Sequence, residues 1–312
     1  MKFAILIIAH KNIEQTMRLA NCFDDRFDVY IHFDAKMEIK QETKPNRSNI
    51  YILQKRLSGF LDDWSLVEIA MNLYMSAKKN RYAYYCLLSG QDYPVKTMDY
   101  ISEFFERNYP KPFIDCTPAV KGNWVYSTFK RIRKIRDYNS IKSKCQNQYW
   151  TKVRIYLLYA KQMLETIIKG SPSKNLTKIG WEMYGGSAWW VLPDIVMEEI
   201  EDIYKEKTNN NERICQQFKV KIVPEETFFQ TCIMNSKFKD QVVVNQPFEE
   251  KQNCLTYAYF CDEEHAATGH PYVFTMKNKE LLDKLPHLFA RKFDDSVDEK
   301  ILDYLDRRKF ND

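Results

Sequence analysis

Apolar and polar positions change period repeatedly along this chain. FAILIIA at 3–9 is a continuous apolar run closed by the polar His10-Lys11-Asn12, the pattern of a buried strand. Asn12 followed by Gln15 predicts a capping box, with Met17, Leu19, Ala20 and Phe23 on the helix behind it. DVYIHFD (28–34) alternates as a second strand, and Ile50 to Leu53 make a third. Asp62 or Asp63 caps a helix with Leu66, Ile69, Ala70 and Leu73 inward. AYYCLL (83–88) is another buried strand, running into a turn-rich loop from Ser89 to Pro94. A helix from Thr97 to Arg107 and a strand from Pro112 to Cys116 follow.

Tyr149, Val153, Tyr156, Ala160, Met163 and Ile167 share one helical face, and Ser171 to Asn175 reads as a linker. Ala188 to Leu192 is a strand, and Pro193-Asp194 opens an acidic helix reaching Glu206. Val220 and Ile222 alternate with Lys219 and Lys221 as a strand, until Pro224 ends it and opens a helix. Strands at 241–245 and 257–260 precede helices at 279–285 and 297–308. Strands alternating with helices predict an α/β fold with a mostly parallel central sheet flanked by helices.

Glu225 and Glu226 therefore sit where a strand hands over to a helix. Ligands bind at the carboxyl ends of strands in open α/β sheets, which makes a catalytic base plausible there. Acids in a first helical turn are equally favoured by the helix dipole, so this stretch alone leaves both readings open.

The 312 residues, 45% hydrophobic, suffice for one large domain or two coupled lobes. The 8 glycines form neither G-x-G-x-x-G nor a P-loop, which argues against dinucleotide and P-loop chemistry. Eight scattered cysteines with no C-x-x-C pair read as buried thiols of a reduced chain. The apolar run at 3–9 is too short for a signal segment, and no stretch approaches a membrane span. A cytoplasmic location is expected, and the sequons at Asn46 and Asn175 are then incidental. Net charge is only +5, but Lys and Arg concentrate between Lys130 and Lys178, opposed by Asp137 and Glu165 alone. That segment reads first as a solvated basic face, and otherwise as a surface for an anionic partner: lipid, a phosphorylated substrate or nucleic acid.

ILIIAHKN, VYIHFDAK, SLVEIA, LLSGQDYP, GGSAWWVL, IVPEETFFQT and HLFARKFDDSVD occur in that order between Phe3 and about Leu302. Together they resemble the core-2/I-branching N-acetylglucosaminyltransferase and peptide O-xylosyltransferase family, glycosyltransferase family 14. The resemblance implies a GT-A-like variant fold, a UDP-sugar donor (UDP-GlcNAc or UDP-xylose), a glycan acceptor, inversion at the anomeric carbon and no metal cofactor; the basic segment adds a lipid-linked acceptor as an expectation. No nucleic-acid partner is expected, and peripheral contact with an anionic membrane is. Within a single domain of residues 1–312, we expect a nucleotide-sugar half at 1–116, a basic helical segment at 117–178 and an acceptor-binding, catalytic half at 179–312. Consistent with a metal-free site, no two aspartates are spaced i, i+2, the pattern on which ordinary GT-A enzymes hold a divalent ion.

The resemblance assigns roles residue by residue. Glu226 matches the family's base, and Glu225 stands where the family has aspartate. Lys292 in FARKFD matches a lysine on the diphosphate, with Arg291 beside it. A family arginine 23 residues earlier falls on Gly269, which leaves His270, Arg291 or Arg136 as a second cation. His10 and Asp34 match nucleoside-binding positions. Asp92 is expected at the donor sugar or bracing its turn, and Trp181, Tyr184 and Trp189 can offer aromatic faces to an acceptor sugar. Trp189 and Trp190 point to opposite faces of a strand, so one of them belongs to the core. LDDWSLV replaces the family's glycine-containing approach to the second helix. A catalytically inactive sugar-nucleotide or glycan-binding module with the same fold is the alternative.

Overall fold

The computed structural model describes residues 1–39, 45–130, 150, 152–154, 156–157, 160–161, 164, 172–205, 214–219, 223–242, 254–260 and 270–308. Its centre is a five-stranded sheet, in chain order β1 (Phe3–Ala9), β2 (Phe27–Phe33), β3 (Ile50–Ile52), β4 (Tyr84–Ser89) and, once the short strands below are numbered, β8 (Val191–Pro193). The spatial order is β3-β2-β1-β4-β8, parallel except for the β4/β8 pair. This mixed α/β layout, parallel-rich and flanked by helices, is consistent with the expected GT-A-like variant. β2 is buried along its whole length rather than on alternate residues, because helices cover both faces of the sheet.

Helix α1 (Ile13–Asn21) is capped by Asn12, whose Oδ1 accepts from Gln15 N at 2.9 Å. The expected capping box is only half formed. Gln15 instead donates Nε2 to Gly90 O (3.2 Å) and Phe293 O (3.1 Å) and accepts from Asp295 N (2.8 Å). One glutamine thereby ties α1 to the loop after β4 and to the C-terminal segment. Asp63 caps α2 (Trp64–Ala77), whose Ile69, Ala70 and Leu73 are buried as expected. Thr97 caps α3 (Met98–Asn108).

The loop after β4 contains a short strand, β5 (Asp92–Pro94), in place of a plain turn. Beyond it come β6 (Thr117–Pro118), α4 (Trp124–Lys130), α5 (Pro172–Lys178) and β7 (Tyr184–Gly185). The expected 112–116 strand reduces to one bridge, Phe113 with Val191, because the chain leaves the sheet after a single pair of hydrogen bonds. The linker candidate is helical from Pro172, a residue suited to a first helical turn. In the basic segment, Tyr156 and Ala160, expected inward, are exposed, while Val153 on the same face is half-buried. The remainder of that helix lies outside the described residues.

The C-terminal half adds α6 (Asp194–Tyr204), α7 (Ile214–Lys219), a 3₁₀ turn at Pro224–Glu226, and α8 (Phe228–Met234). Lys219 closes a helix rather than opening a strand; Val220 to Ile222 lie outside the described residues. Gln241 belongs to a 3₁₀ turn, not a strand, and 243–245 are outside the described residues. The chain ends with β9 (Thr256–Ala258), α9 (Lys279–Lys284), β10 (Phe289–Arg291) and α10 (Asp295–Arg308). β10 lies between β5 and β9 in a three-stranded sheet, so FARKFD is paired directly with the loop after β4.

Two apolar clusters sandwich the central sheet. One joins Phe3, Phe27 and Phe105 to Phe289 and Phe293, and the other joins Trp64, Tyr74 and Trp190 to Phe228 and Phe229. At about 25 cal/mol per Å² of buried apolar surface, such clusters supply the main favourable contribution to folding. The six described cysteines are free thiols, and no described helix is long and apolar enough to cross a membrane.

Candidate active site

The carboxyl ends of β1, β2 and β4 open on one side of the sheet, and four chain segments converge there. β1 delivers His10 and β2 delivers Asp34. Asp34 is buried; its Oδ1 accepts from Lys36 N (2.8 Å) and its Oδ2 from Gly59 N (2.8 Å). His10 is exposed, and its pKa is lowered by partial burial and by the charges of Lys11 and Lys292. His32, two residues before Asp34, is fully buried and accepts from Leu57 N through Nε2 at 2.8 Å. Burial pushes it down to about 4, so it serves as a neutral acceptor.

β10 supplies the cations. Its pairing with β5 sets Arg291 opposite Asp92, and Phe293 N donates to Gln91 O at 2.8 Å. Arg291 Nε lies 3.7 Å from Asp92 Oδ1, and the guanidinium stacks 4.3 Å from the Trp189 ring centroid. Asp92 is fully buried, with Oδ2 accepting from Ser89 N at 2.8 Å. Burial raises its carboxyl to about 6 against the opposing pull of Arg291. Lys292 is half-buried, and its pKa is lowered by burial, then by Lys11 and Arg291. Lys11 is held by Asp294 at 2.6 Å, which fixes the end of β1 beside the Lys292 segment.

The 3₁₀ turn at Pro224–Glu226 supplies the acids. Its geometry depends on Gly185 and Gly186: Gly186 N donates to Glu226 O at 2.9 Å. A Cβ on Gly186 would lie 2.0 Å from Asp115 O, so only glycine permits this approach. Glu226 is half-buried; burial and the charge of Asp62 push it up to about 7, and Arg291 opposes them. Glu225 is more deeply buried, accepts from Asp62 N at 3.2 Å, and is pushed up to about 8 by burial. The two adjacent carboxylates, indistinguishable locally in sequence, thus differ: Glu226 is half-buried, while Glu225 is buried with Oε1 on Asp62 N.

The remaining expected positions divide. Trp189 underlies Arg291, while Trp190 is core, packed 5.0 Å from Phe229. Tyr184 is buried, its hydroxyl donating to Glu182 at 2.9 Å. Trp181 is half-buried against the second apolar cluster. His270 is exposed, and no described contact joins it to the cluster; Arg136 lies outside the described residues. Among the described residues, no three His, Cys, Asp or Glu side chains are grouped to hold a metal ion.

Two residues of this region were not anticipated. Asp62, at φ 58°, faces the acidic turn across the sheet end. Trp124, 45% exposed, has its ring edge beside Gly185. That edge and the Glu226 carbonyl both lie within 3.2 Å of the point a Gly185 Cβ would occupy. Asn123, which accepts from Tyr126 N at 3.0 Å, caps α4 and was the sequence signal for a helix starting at this tryptophan.

The comparisons with known proteins converge. The family model described as "Branch: Core-2/I-Branching enzyme" matches residues 3–248. Among curated proteins, the chain is similar to xylosyltransferase 2 of Rattus norvegicus, with 21% identity over 98% of this chain and 33% of the relative. It is likewise similar to a xylosyltransferase of Ciona intestinalis, with 22% identity over 99% of this chain and 34% of the relative. The chain spans about a third of the length of these relatives.

Proposed function

The chain belongs to the Core-2/I-branching enzyme family of glycosyltransferases, and from that premise we propose an inverting, metal-independent transfer of GlcNAc or xylose from a UDP-sugar to a glycan hydroxyl. Glu226 is the base. It accepts the proton of the acceptor hydroxyl while that oxygen forms a bond to C1 of the donor sugar. The bond from C1 to the diphosphate oxygen breaks on the opposite face, and its electron pair leaves with UDP. Lys292 meets the charge that develops on the diphosphate, the work a metal ion does in other sugar-nucleotide enzymes. His10 and Asp34 hold the nucleoside side. Arg291, braced by Asp92 and Trp189, supplies the second positive charge between diphosphate and base. Trp124 offers an apolar sugar face a stacking surface next to Glu226, a place left by the burial of Tyr184.

One observation carries this reading. A half-buried carboxylate with raised basicity lies at the same end of the sheet as two half-buried cations and an anchored aspartate. Incubating the protein with a panel of UDP-sugars and glycan acceptors, with EDTA present, tests it. Transfer from UDP-GlcNAc or UDP-xylose with inverted linkage is expected. Binding of UDP without turnover of any donor would instead support the inactive binding module, and activity only with a divalent ion would refute the metal-free mechanism.

The acceptor context follows from the basic segment. Trp150, Tyr156, Leu157 and Leu164 are exposed there beside exposed Lys152, Arg154 and Lys161. Large apolar groups among cations suit the surface of an anionic membrane. We therefore assign the enzyme to surface-polysaccharide or lipid-linked glycan synthesis on the cytoplasmic side. Vesicle sedimentation with anionic lipid, unchanged after reversing the charges of Lys152, Arg154 and Lys161, would contradict this location.

A further inference from the structure

Residues 57–62 pass from the sheet edge to α2 without forming a helix or strand. Even so, four of the backbone N–H groups are taken by side chains. Leu57 N donates to His32 Nε2 (2.8 Å), Gly59 N to Asp34 Oδ2 (2.8 Å), Phe60 N to Ser65 Oγ (3.0 Å) and Asp62 N to Glu225 Oε1 (3.2 Å). The first three bonds come from neighbouring β2 and α2. The fourth spans 163 residues of sequence and joins the loop to the turn that carries Glu226.

This bond is the one of the four that reaches the turn carrying Glu226. Asp62 sits in the left-handed region at φ 58°, a conformation aspartate tolerates better than most non-glycine residues and which a hydrogen bond from its N–H helps to fix. Glu225 is 8% exposed, and its second oxygen is buried with no hydrogen-bond partner. A buried carboxyl in that setting does not earn its place as a solvated first-turn acid. Its hydrogen bond to Asp62 N is what ties this carboxyl to another element of the fold.

We propose that Glu225 is a positioning residue for the transfer reaction: its bond to Asp62 N locks the 57–62 loop, already anchored to Asp34 on the donor side, onto the turn presenting Glu226. The proposal rests on the reading of Glu226 as base. Asp34 and Glu226 are then parts of one braced unit, and the base is held at a fixed offset from the donor. Glutamine in place of Glu225 is the isostere of the protonated acid that burial favours at neutral pH, and its carbonyl still accepts from Asp62 N. Methionine fills similar volume and accepts no such bond.

The test compares Glu225→Gln and Glu225→Met with wild type and Glu226→Gln, measuring kcat, donor KM, UDP affinity by calorimetry and hydrogen exchange of the Asp62 amide. We expect Glu225→Met to lower kcat about 10- to 100-fold, as a misplaced base does, with UDP affinity within about threefold and faster exchange at Asp62. Glu225→Gln should keep kcat and exchange protection within about threefold of wild type. Wild-type kcat in Glu225→Met, or equal loss in Glu225→Gln, overturns the proposal. Unprotected exchange at Asp62 in the wild-type protein also overturns it, whether or not the methionine variant folds. An active Glu226→Gln enzyme refutes the assignment of the base instead, and the exchange data then judge the tether alone.

Discussion

Replacing Arg291 with methionine should destabilise the protein in a pH-dependent way that identifies Asp92 as its partner. At 3.7 Å and an effective dielectric of about 20, the Arg291 and Asp92 charges attract by about 4 kcal/mol, which offsets only part of the cost of burying Asp92. Without the guanidinium, Asp92 becomes an unpaired buried charge, a loss of about 3–5 kcal/mol. The loss depends on ionisation. Burial raises the Asp92 carboxyl to about 6 from its ordinary 3.8, so the folded state holds that proton more tightly than the unfolded chain. Stability from this group is therefore highest below pH 3.8 and falls as pH rises through 6. In Arg291→Met the carboxyl rises further, and protonation at pH 5 relieves most of the penalty. Urea denaturation should show a deficit of about 1–2 kcal/mol at pH 5 and about 3–5 kcal/mol at pH 8. Adding Asp92→Asn, whose amide oxygen still accepts from Ser89 N, should recover most of the deficit at pH 8. Equal deficits at both pH values, with no recovery in the double variant, would refute the pairing.

Glu226 is pushed up to about 7, so kcat/KM should rise with pH through about 7 and level off above it; a flat profile from pH 5 to 8 would contradict a carboxylate base. The same raised acid costs stability once ionised, above its ordinary 4.5 and increasingly through 7. Glu226→Gln should therefore be about 1–3 kcal/mol more stable than wild type at pH 8 and no more stable at pH 4, by urea denaturation. Gly186→Ala would drive a methyl into Asp115 O, and should cost about 3 kcal/mol or more; an unchanged melting temperature would show that the 186 backbone gives way freely. Lys292→Ala should lower kcat/KM about 100-fold and weaken UDP binding in calorimetry, whereas unchanged UDP affinity would remove it from the diphosphate.

The parallel sheet was legible because buried strands require uninterrupted apolar runs, as FAILIIA and AYYCLL provide. The cap at Asn12, and the choice of Asp62 or Asp63 before the second helix, were legible because such side chains accept from first-turn N–H groups; the capping role of Thr97 emerged only in the structure. Short strands were not. Lys219 sits in a helix and Phe113 makes a single bridge, because alternation over four or five residues is outweighed by tertiary contacts. In the candidate site, the motifs located Glu226, Lys292 and Asp34, but the state of Arg291 depended on a strand pairing that no local pattern encodes. A lysine-adjacent arginine reads as solvated until β10 is set against β5, which encloses it between Asp92 and Trp189. Trp124 and Asp62 reach the site only through contacts with residues far along the chain, Gly185 and Glu225.

The central claim is that Glu226 removes the acceptor proton in a metal-free transfer. Turnover of a UDP-sugar by wild type and Glu226→Gln, with EDTA present and with UDP affinity measured on the same preparations, tests it most directly. We predict a loss in kcat of about 1,000-fold or more with UDP affinity within about threefold of wild type. A Glu226→Gln enzyme that turns over at the wild-type rate would contradict the claim.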